Sequence, residues 1–339
     1  MLPSFSDGQG GSWAVGPDRC RCHSVEDAFL DWLLSRIPSD PRLEVPPGDD
    51  AAVLRPAAMR RPLLAADMLV EGVHFEPLPG VDPALVGHKA LAVNLSDIAA
   101  MGGRGEAAVA TVALPRRGGG QIGRAMLEGM LELAAAENVV LAGGDTTSWD
   151  GPLTVSVTVL GSVGPHAAWR RDAARPGDRI LATGRFGGSL LGRHLSFRPR
   201  CREALAIVAA IPGERVAAID VSDGLSLDLA RMMRASGTGA VVEVAAVPIH
   251  PDAQRAAEDG RSPLEHALTD GEDFELLLAV APAVASRLLA LAAAGGDAWP
   301  GTPLTVIGEV VAEPGLVAVD AAGSRRPLVP RGFLHELDA

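Results

Sequence analysis

The sequence predicts an α/β (α+β) protein of two domains. Its 339 residues are enough for two domains of ordinary size. Short aliphatic runs alternate with helical stretches from residue 51 to residue 319. Gly-Pro and Arg-Pro-Gly signals between 164 and 177 break the chain near its middle. The division expected from these features is a leader over 1–23, an N-terminal domain over 24–165 and a C-terminal α/β domain over 166–339.

The leader is rich in Gly, Ser and Pro and reads as flexible. Ser24, with Asp27 three residues on, predicts a helix start, and Val25, Phe29, Trp32, Leu33 and Ile37 form its apolar stripe. Pro46-Pro47-Gly48 ends that segment before Asp49-Asp50. In the N-terminal domain the pattern predicts strands over 51–54, 63–68, 107–114, 139–142 and 153–163, and helices over 83–101 and 120–137. The segment 153–163 alternates Val155, Val157 and Val159 with Ser156 and Thr158, so its two faces meet different surroundings. In the C-terminal domain strands are predicted over 179–182, 216–219, 241–244, 274–280, 305–310 and 316–319, and helices over 223–235 and 283–294.

Hydrophobic residues make up 47% of the chain, so each domain can bury a core, but Tyr is absent and aromatics reach only 4%, so that core is aliphatic. The formal net charge of −12 excludes the basic face of a nucleic-acid binder. The cysteines are Cys20, Cys22 and Cys201, an odd set without a spaced framework, which points to a reducing compartment. The N-terminus has no apolar signal-like run, and no stretch approaches the about 18 apolar residues that span a bilayer. The expectation is a cytoplasmic protein with no membrane partner. Arginine is abundant, yet Lys89 is the only lysine.

Acidic residues gather at predicted element ends, in Gly48-Asp49-Asp50, Ala65-Ala66-Asp67, Asn94-Leu95-Ser96-Asp97, Gly143-Gly144-Asp145 and Asp220-Val221-Ser222-Asp223-Gly224. Each has a plain alternative as a turn or a cap. Asp97 is the least ordinary, because between Ala90 and Met101 only Asn94, Ser96 and Asp97 are polar. A carboxylate on so apolar a helix needs a cation or a donor. Lys89, two turns earlier, and a metal are the two candidates. Taken together, these carboxylates give the oxygen-rich surroundings Mg²⁺ prefers, and bridging Mg²⁺ lets an acidic protein hold a polyphosphate. No Walker A or His-Arg-Asp kinase pattern is present. Gly184-Arg-Phe-Gly187-Gly188-Ser189 suits either a phosphate cradle or tight strand–helix packing.

Six segments stand in the order seen in thiamine-monophosphate kinases, and the chain resembles that family over roughly residues 24–335. They are Gly48–Leu54, Asp67–Phe75, Lys89–Gly102, Gly143–Thr147, Asp220–Leu225 and Gly271–Leu276. The resemblance implies a fold like that of aminoimidazole-ribonucleotide synthetase, with the N-terminal sheets of two subunits forming a barrel. It implies a homodimer that uses ATP and several Mg²⁺ to phosphorylate thiamine monophosphate, with ATP and metal in the N-terminal domain and the site completed by the C-terminal one. Carried over by motif, the Mg²⁺ ligands are Asp50, Asp67, Asp97, Asp145, Asp220 and Asp223. Gly144, Arg171 and Ser222 contact ATP, and His74 and Glu272 face the thiamine phosphate. Lys89 is a structural ion-pair partner in this reading.

Three departures matter. Ala65 and Ala66 replace the family's usual hydroxyl residues, so any metal contact there is through backbone carbonyls. Pro330 stands where the family has a stacking aromatic, and Phe333 is the substitute; Asp270 also replaces a usual Gly. No residue is expected to act as a general base. The alternatives are another ATP-using enzyme of the superfamily, such as one like selenophosphate synthetase, and a non-catalytic nucleotide-binding homologue.

Overall fold

The computed structural model describes Trp32 and residues 34–45, 53–54, 60–78, 80–164 and 168–334. The chain divides into two units, Met1–Arg36 and Ile37–Ala339. In the first, Trp32 and residues 34–36 are helical. Ile37, the last residue of the predicted stripe, is a bend rather than helix, while residues 24–31 and Leu33 of that helix, Cys20 and Cys22, and Asp49 and Asp50 lie outside the described residues.

The second unit contains a short antiparallel pair, β1 (Leu43–Val45) with β2 (Val53–Leu54), and two larger sheets. The first sheet comprises β3 (Arg61–Val70), β4 (Arg104–Pro115), β5 (Val140–Trp149) and β6 (Thr154–Val163), in the order β3-β6-β4-β5. β6 alternates as its pattern predicts: Val155, Val157 and Val159 are at most 1% exposed, whereas Ser156 and Thr158 are half-buried. The valine face is covered by helices α1 (Pro83–Ala100) and α2 (Gly119–Ala136). Pro83 at the first turn and the Asp82 carboxylate, which accepts from Ala84 N at 2.9 Å, start α1. The two helices approach closely at Gly87 and Gly129, where an added Cβ would lie 1.9 Å from the Met126 and Ala84 carbonyl oxygens.

The second sheet comprises β7 (Arg179–Thr183), β8 (Ala217–Asp220), β9 (Gly239–Glu243), β10 (Leu276–Val280), β11 (Leu304–Val311), β12 (Gly315–Val319) and β13 (Arg325–Pro327). Their order is β13-β12-β9-β11-β7-β10-β8. β10 is buried throughout, which explains its unbroken apolar sequence. Helices α3 (Cys201–Ala210), α4 (Leu225–Ser236), α5 (Pro251–Ala256), α6 (Pro263–Thr269) and α7 (Pro282–Ala294) accompany this sheet. Of these, α3, α5 and α6 go beyond the predicted elements, although α6 opens on a complete Ser262/Glu265 capping box. Besides its own sheet, α1 touches β8 and α3, so it is buried on nearly every side.

Three boundary differences bear on the site. β5 does not end at Ala142 but continues through Gly143-Gly144-Asp145. A bulge opposite Ala108–Val109, with Gly143 at φ 149°, keeps it paired. β3 runs past Asp67 to Val70, so Asp67 lies within a strand rather than at its end. β10 begins at Leu276 rather than 274, because Gly271, Glu272 and Phe274 hold φ of 74°, 51° and 50°.

Candidate active site

A cleft lies between α1 with β3 on one side and the Asp220 end of β8 on the other. It has two lobes of about 700 and 630 Å³. Asp97, on α1, and Asp220, the last residue of β8, line both lobes. The first lobe is mainly aliphatic, with Ile98, Met101 and Ile219, and carries Arg171. The second carries Asp67, His74, Ser222, Asp223, Glu272 and Phe333.

The three carboxyls Asp67, Asp97 and Asp220 feel one another strongly. Burial, then the Asp220 and Asp67 charges, push the Asp97 carboxyl up to about 8, with Arg171 pulling the other way. Burial also raises Asp67 and Asp220; a hydrogen bond with Asp97 opposes the rise at Asp67. Ser96 Oγ donates to Asp220 Oδ2 at 2.6 Å and opposes it there. Without a cation, Asp97 therefore retains a proton at neutral pH. Among the described residues no three acidic, His or Cys side chains close round one point as a ready-made ion cage. Mg²⁺ does not need one, since it takes one or two carboxylates plus waters and phosphate oxygens. An all-oxygen donor set whose carboxyls are all raised, chiefly by burial, fits that ion.

Asp223 differs from these three. Its carboxylate is already paired with Arg231, which also reaches Asp228 at 2.7 Å. The start of α4 is held instead by Asp228, whose Oδ2 accepts from Asp223 N at 2.9 Å and Gly224 N at 3.1 Å.

The sequence-predicted site is brought together in part. Asp67, Asp97, Asp220, Asp223, His74, Glu272, Phe333, Arg171 and Ser222 all line the cleft. Ser222, expected beside Arg171 on the nucleotide side, is in the other lobe. Asp145 and Gly144 are not in the cleft. In strand register Asp145 falls in one row with Thr111, Ser156 and Met68, whereas Asp67 pairs with the buried Val157. Asp145 and Asp67 therefore occupy opposite faces of the sheet. Asp50 lies outside the described residues. In Trp169-Arg170-Arg171-Asp172, Arg170 is held by Asp172, its Nε 2.7 Å from Oδ1. That leaves Arg171 as the arginine acting on Asp97.

Lys89 does not serve Asp97. Its fully buried ammonium donates to both Glu272 carboxylate oxygens, at 2.8 and 2.7 Å, and to the His74 carbonyl at 2.7 Å. It thereby fixes two residues of the second lobe from behind. His74 Nδ1 accepts from Val70 N at 3.0 Å, so the ring's remaining proton is on Nε2. The 184–189 loop is not a phosphate cradle. Gly187 N donates to Asp273 Oδ1 at 3.0 Å, and Gly188 N to Asp270 Oδ2 at 2.8 Å. A Cβ on Gly188 would lie 2.4 Å from the Asp252 backbone. The glycines serve packing of this loop against the strained 270–275 segment.

Sequence reasoning missed Ser96, His194 and Phe274. Ser96 was visible as a polar residue on α1, but its partner is 124 residues away. Phe274, which stacks on Phe197 at a centroid distance of 4.1 Å, had been assigned to a strand. His194 lies in a single 3₁₀ turn, Arg193–Leu195, too short for any periodicity to mark it.

Comparison with known proteins agrees with this architecture. Residues 48–163 match the N-terminal domain model of AIR synthase related proteins, and residues 160–321 match the C-terminal domain model. The chain is 41% identical to the thiamine-monophosphate kinase of Rhodopirellula baltica, over 92% of this chain and 97% of that one. The crystal structure of thiamine-monophosphate kinase from Stenotrophomonas maltophilia superposes with a TM-score of 0.75 at 32% identity, covering 87% of this chain and 96% of that one. A structure of AaThiL complexed with AMPPCP and TMP superposes with a TM-score of 0.69 at 26% identity, covering 92% and 96%. The fold and cleft thus place the protein among the AIR synthase related proteins. Within them, the chain belongs to the thiamine-monophosphate kinase family.

Proposed function

We propose that this protein transfers the γ-phosphoryl group of ATP to the phosphate of thiamine monophosphate, giving thiamine diphosphate and ADP in one in-line step. The observation that carries the mechanism is the position of Asp97 and Asp220, which line both lobes of the cleft. A donor phosphate entering from one lobe and an acceptor phosphate from the other meet at these carboxyls. Family membership and the AaThiL complex with AMPPCP and TMP support the choice of substrates.

In this reading the aliphatic lobe with Arg171 takes the nucleotide. The other lobe takes thiamine monophosphate, with His74 Nε2–H and Glu272 facing it and Phe333 at its edge. Asp67, Asp97 and Asp220 would hold Mg²⁺, with Asp223 once released from Arg231, and with Asp50 by motif. Bound there, Mg²⁺ neutralises the triphosphate and the charge that develops during transfer. The acceptor phosphate has a second pKa of about 6, so it is largely dianionic at neutral pH and needs no general base. Ser96 holds Asp220, and Lys89 holds Glu272, in fixed orientation.

The N-terminal domain (24–165) and C-terminal domain (166–339) each supply one wall of the site. A homodimer accounts for the outer face of the first sheet, where Leu64 and Met68 are 75% and 54% exposed. Asp145 lies on that side and would act across such an interface, whereas Gly144 falls in the Asp67 row of the opposite face. No helix among the described residues is long and apolar enough to cross a membrane, and a cytoplasmic location suits the two substrates. The deciding experiment incubates the protein with ATP, Mg²⁺ and thiamine monophosphate. Thiamine diphosphate and ADP in equal amounts are expected; ATP loss without thiamine diphosphate overturns the reading.

A further inference from the structure

The acceptor lobe contains a second histidine that the reaction does not use. His194 lies in the turn after the 184–189 loop and lines the lobe with His74, Glu272 and Phe274. Its Nδ1 is 2.9 Å from the Ser189 carbonyl oxygen. A carbonyl oxygen only accepts, so Nδ1 carries a hydrogen. Burial, with the charges of Lys89 and Arg193, brings this imidazole down to about 4, against the Ser189 bond and Glu76, which pull it up. The ring is therefore neutral at pH 7, and Nε2 is a lone-pair acceptor. His74 has the opposite polarity, with Nδ1 accepting from Val70 N and the hydrogen on Nε2. One lobe thus presents a neutral donor, a neutral acceptor and the Lys89-held Glu272 carboxylate. Phe75, Phe274, Val73 and Leu190 supply apolar wall between them.

We infer that His194 is a specificity-determining residue whose Nε2 accepts a hydrogen bond from an amino group on the acceptor's heteroaromatic ring. The inference rests on the thiamine monophosphate reading above, and the 4-amino group of the pyrimidine is the donor of matching chemistry. A site built to accept a hydrogen bond rejects a ligand that leaves its acceptor unpaired. A purely structural His194, holding only the Ser189 turn, would show no such preference.

The test compares thiamine monophosphate with its analogue bearing an oxo group in place of the 4-amino group, each with ATP and Mg²⁺. Wild type is expected to prefer the amino substrate by at least about 100-fold in kcat/KM. His194→Leu is expected to bring that ratio to within a few-fold of one while the KM for ATP stays unchanged. His194→Gln, whose amide oxygen reaches the Nε2 position, is expected to keep most of the preference. A His194→Leu variant that slows both substrates by the same factor overturns the inference. So does a wild-type ratio near one, which needs no variant and leaves the kinase reading standing. If wild type converts neither phosphate, the kinase reading itself falls, and the inference with it.

Discussion

Ser96 on α1 donates its hydroxyl hydrogen to Asp220 Oδ2 at the end of β8, 2.6 Å away, and so ties the helix of one sheet to the edge strand of the other at the junction of the two lobes. Both residues are buried, and the bond opposes the rise in the Asp220 carboxyl that burial causes. Removing it leaves Asp220 harder to ionise and less fixed in direction. Ser96→Ala is therefore expected to lower kcat/KM by roughly 10–100-fold at limiting Mg²⁺, as supporting bonds to metal ligands typically do. The acid limb of the pH profile should move to higher pH. A Mg²⁺ titration at several pH values measures both, and an unchanged Mg²⁺ requirement would count against Asp220 as a ligand.

Asp97 gives a prediction in stability as well as rate. Its folded-state carboxyl stands near 8, against an ordinary value of 3.8. The folded state binds this proton more tightly than the unfolded chain, so stability falls as pH rises from about 4 to about 8 and is level above that. Asp97→Asn removes this slope. In the absence of Mg²⁺ the variant should melt higher than wild type at pH 8.5 and close to it at pH 4, yet lose more than about 100-fold in activity. Thermal melts at several pH values, with and without Mg²⁺, decide it. Identical pH slopes in the two proteins would show that the crowded carboxyls are not the cause.

The Lys89–Glu272 pair predicts a double-mutant result. Lys89 is fully buried and the Glu272 side chain is 21% exposed. Removing one member of a buried pair is costly because the other charge is left without a partner, whereas replacing both is much milder. Lys89→Met alone should cost about 3 kcal/mol in urea unfolding. Adding Glu272→Gln should recover most of that stability but not the affinity for thiamine monophosphate. Equal stability of the single and double variants would mean the pair is not coupled.

What the sequence made legible depended on the range of the interaction. Asp97 stood out because a carboxylate on an aliphatic helix needs a local explanation, and Asp220 because its Asp-Val-Ser-Asp-Gly run links a strand to a helix. Asp145 lies within a strand rather than at the end of one, for a physical reason. Gly-Gly-Asp reads as a turn, but a bulge with Gly143 at positive φ carries the strand straight through it, and the residue ends on the far face. The partner of Lys89 is 183 residues away, so spacing favoured the nearer Asp97 as its carboxylate. The glycine loop at 184–189 was ambiguous because the same residue types allow phosphate binding and close packing. Only the positions of Asp270 and Asp273 separate the two.

Phe333 takes up the question raised by Pro330. Pro330, at the position where the family has an aromatic, does not line the cleft, whereas Phe333 does, and its backbone N donates to the Asp223 carbonyl at 2.9 Å. The ring is 45% exposed at the edge of the acceptor lobe, a site where a bound heteroaromatic would cover it. A stacked aromatic pair contributes about 1 kcal/mol beyond the area it buries. Phe333→Ala should therefore raise the KM for thiamine monophosphate by roughly fivefold, with kcat and the KM for ATP little changed. Phe333→Leu should recover the buried area but not the stacking, and so fall between the two. Steady-state kinetics with each substrate varied in turn distinguishes these outcomes. A fall in kcat with both KM values unchanged would place Phe333 in support of the Asp223 turn instead of in contact with the acceptor.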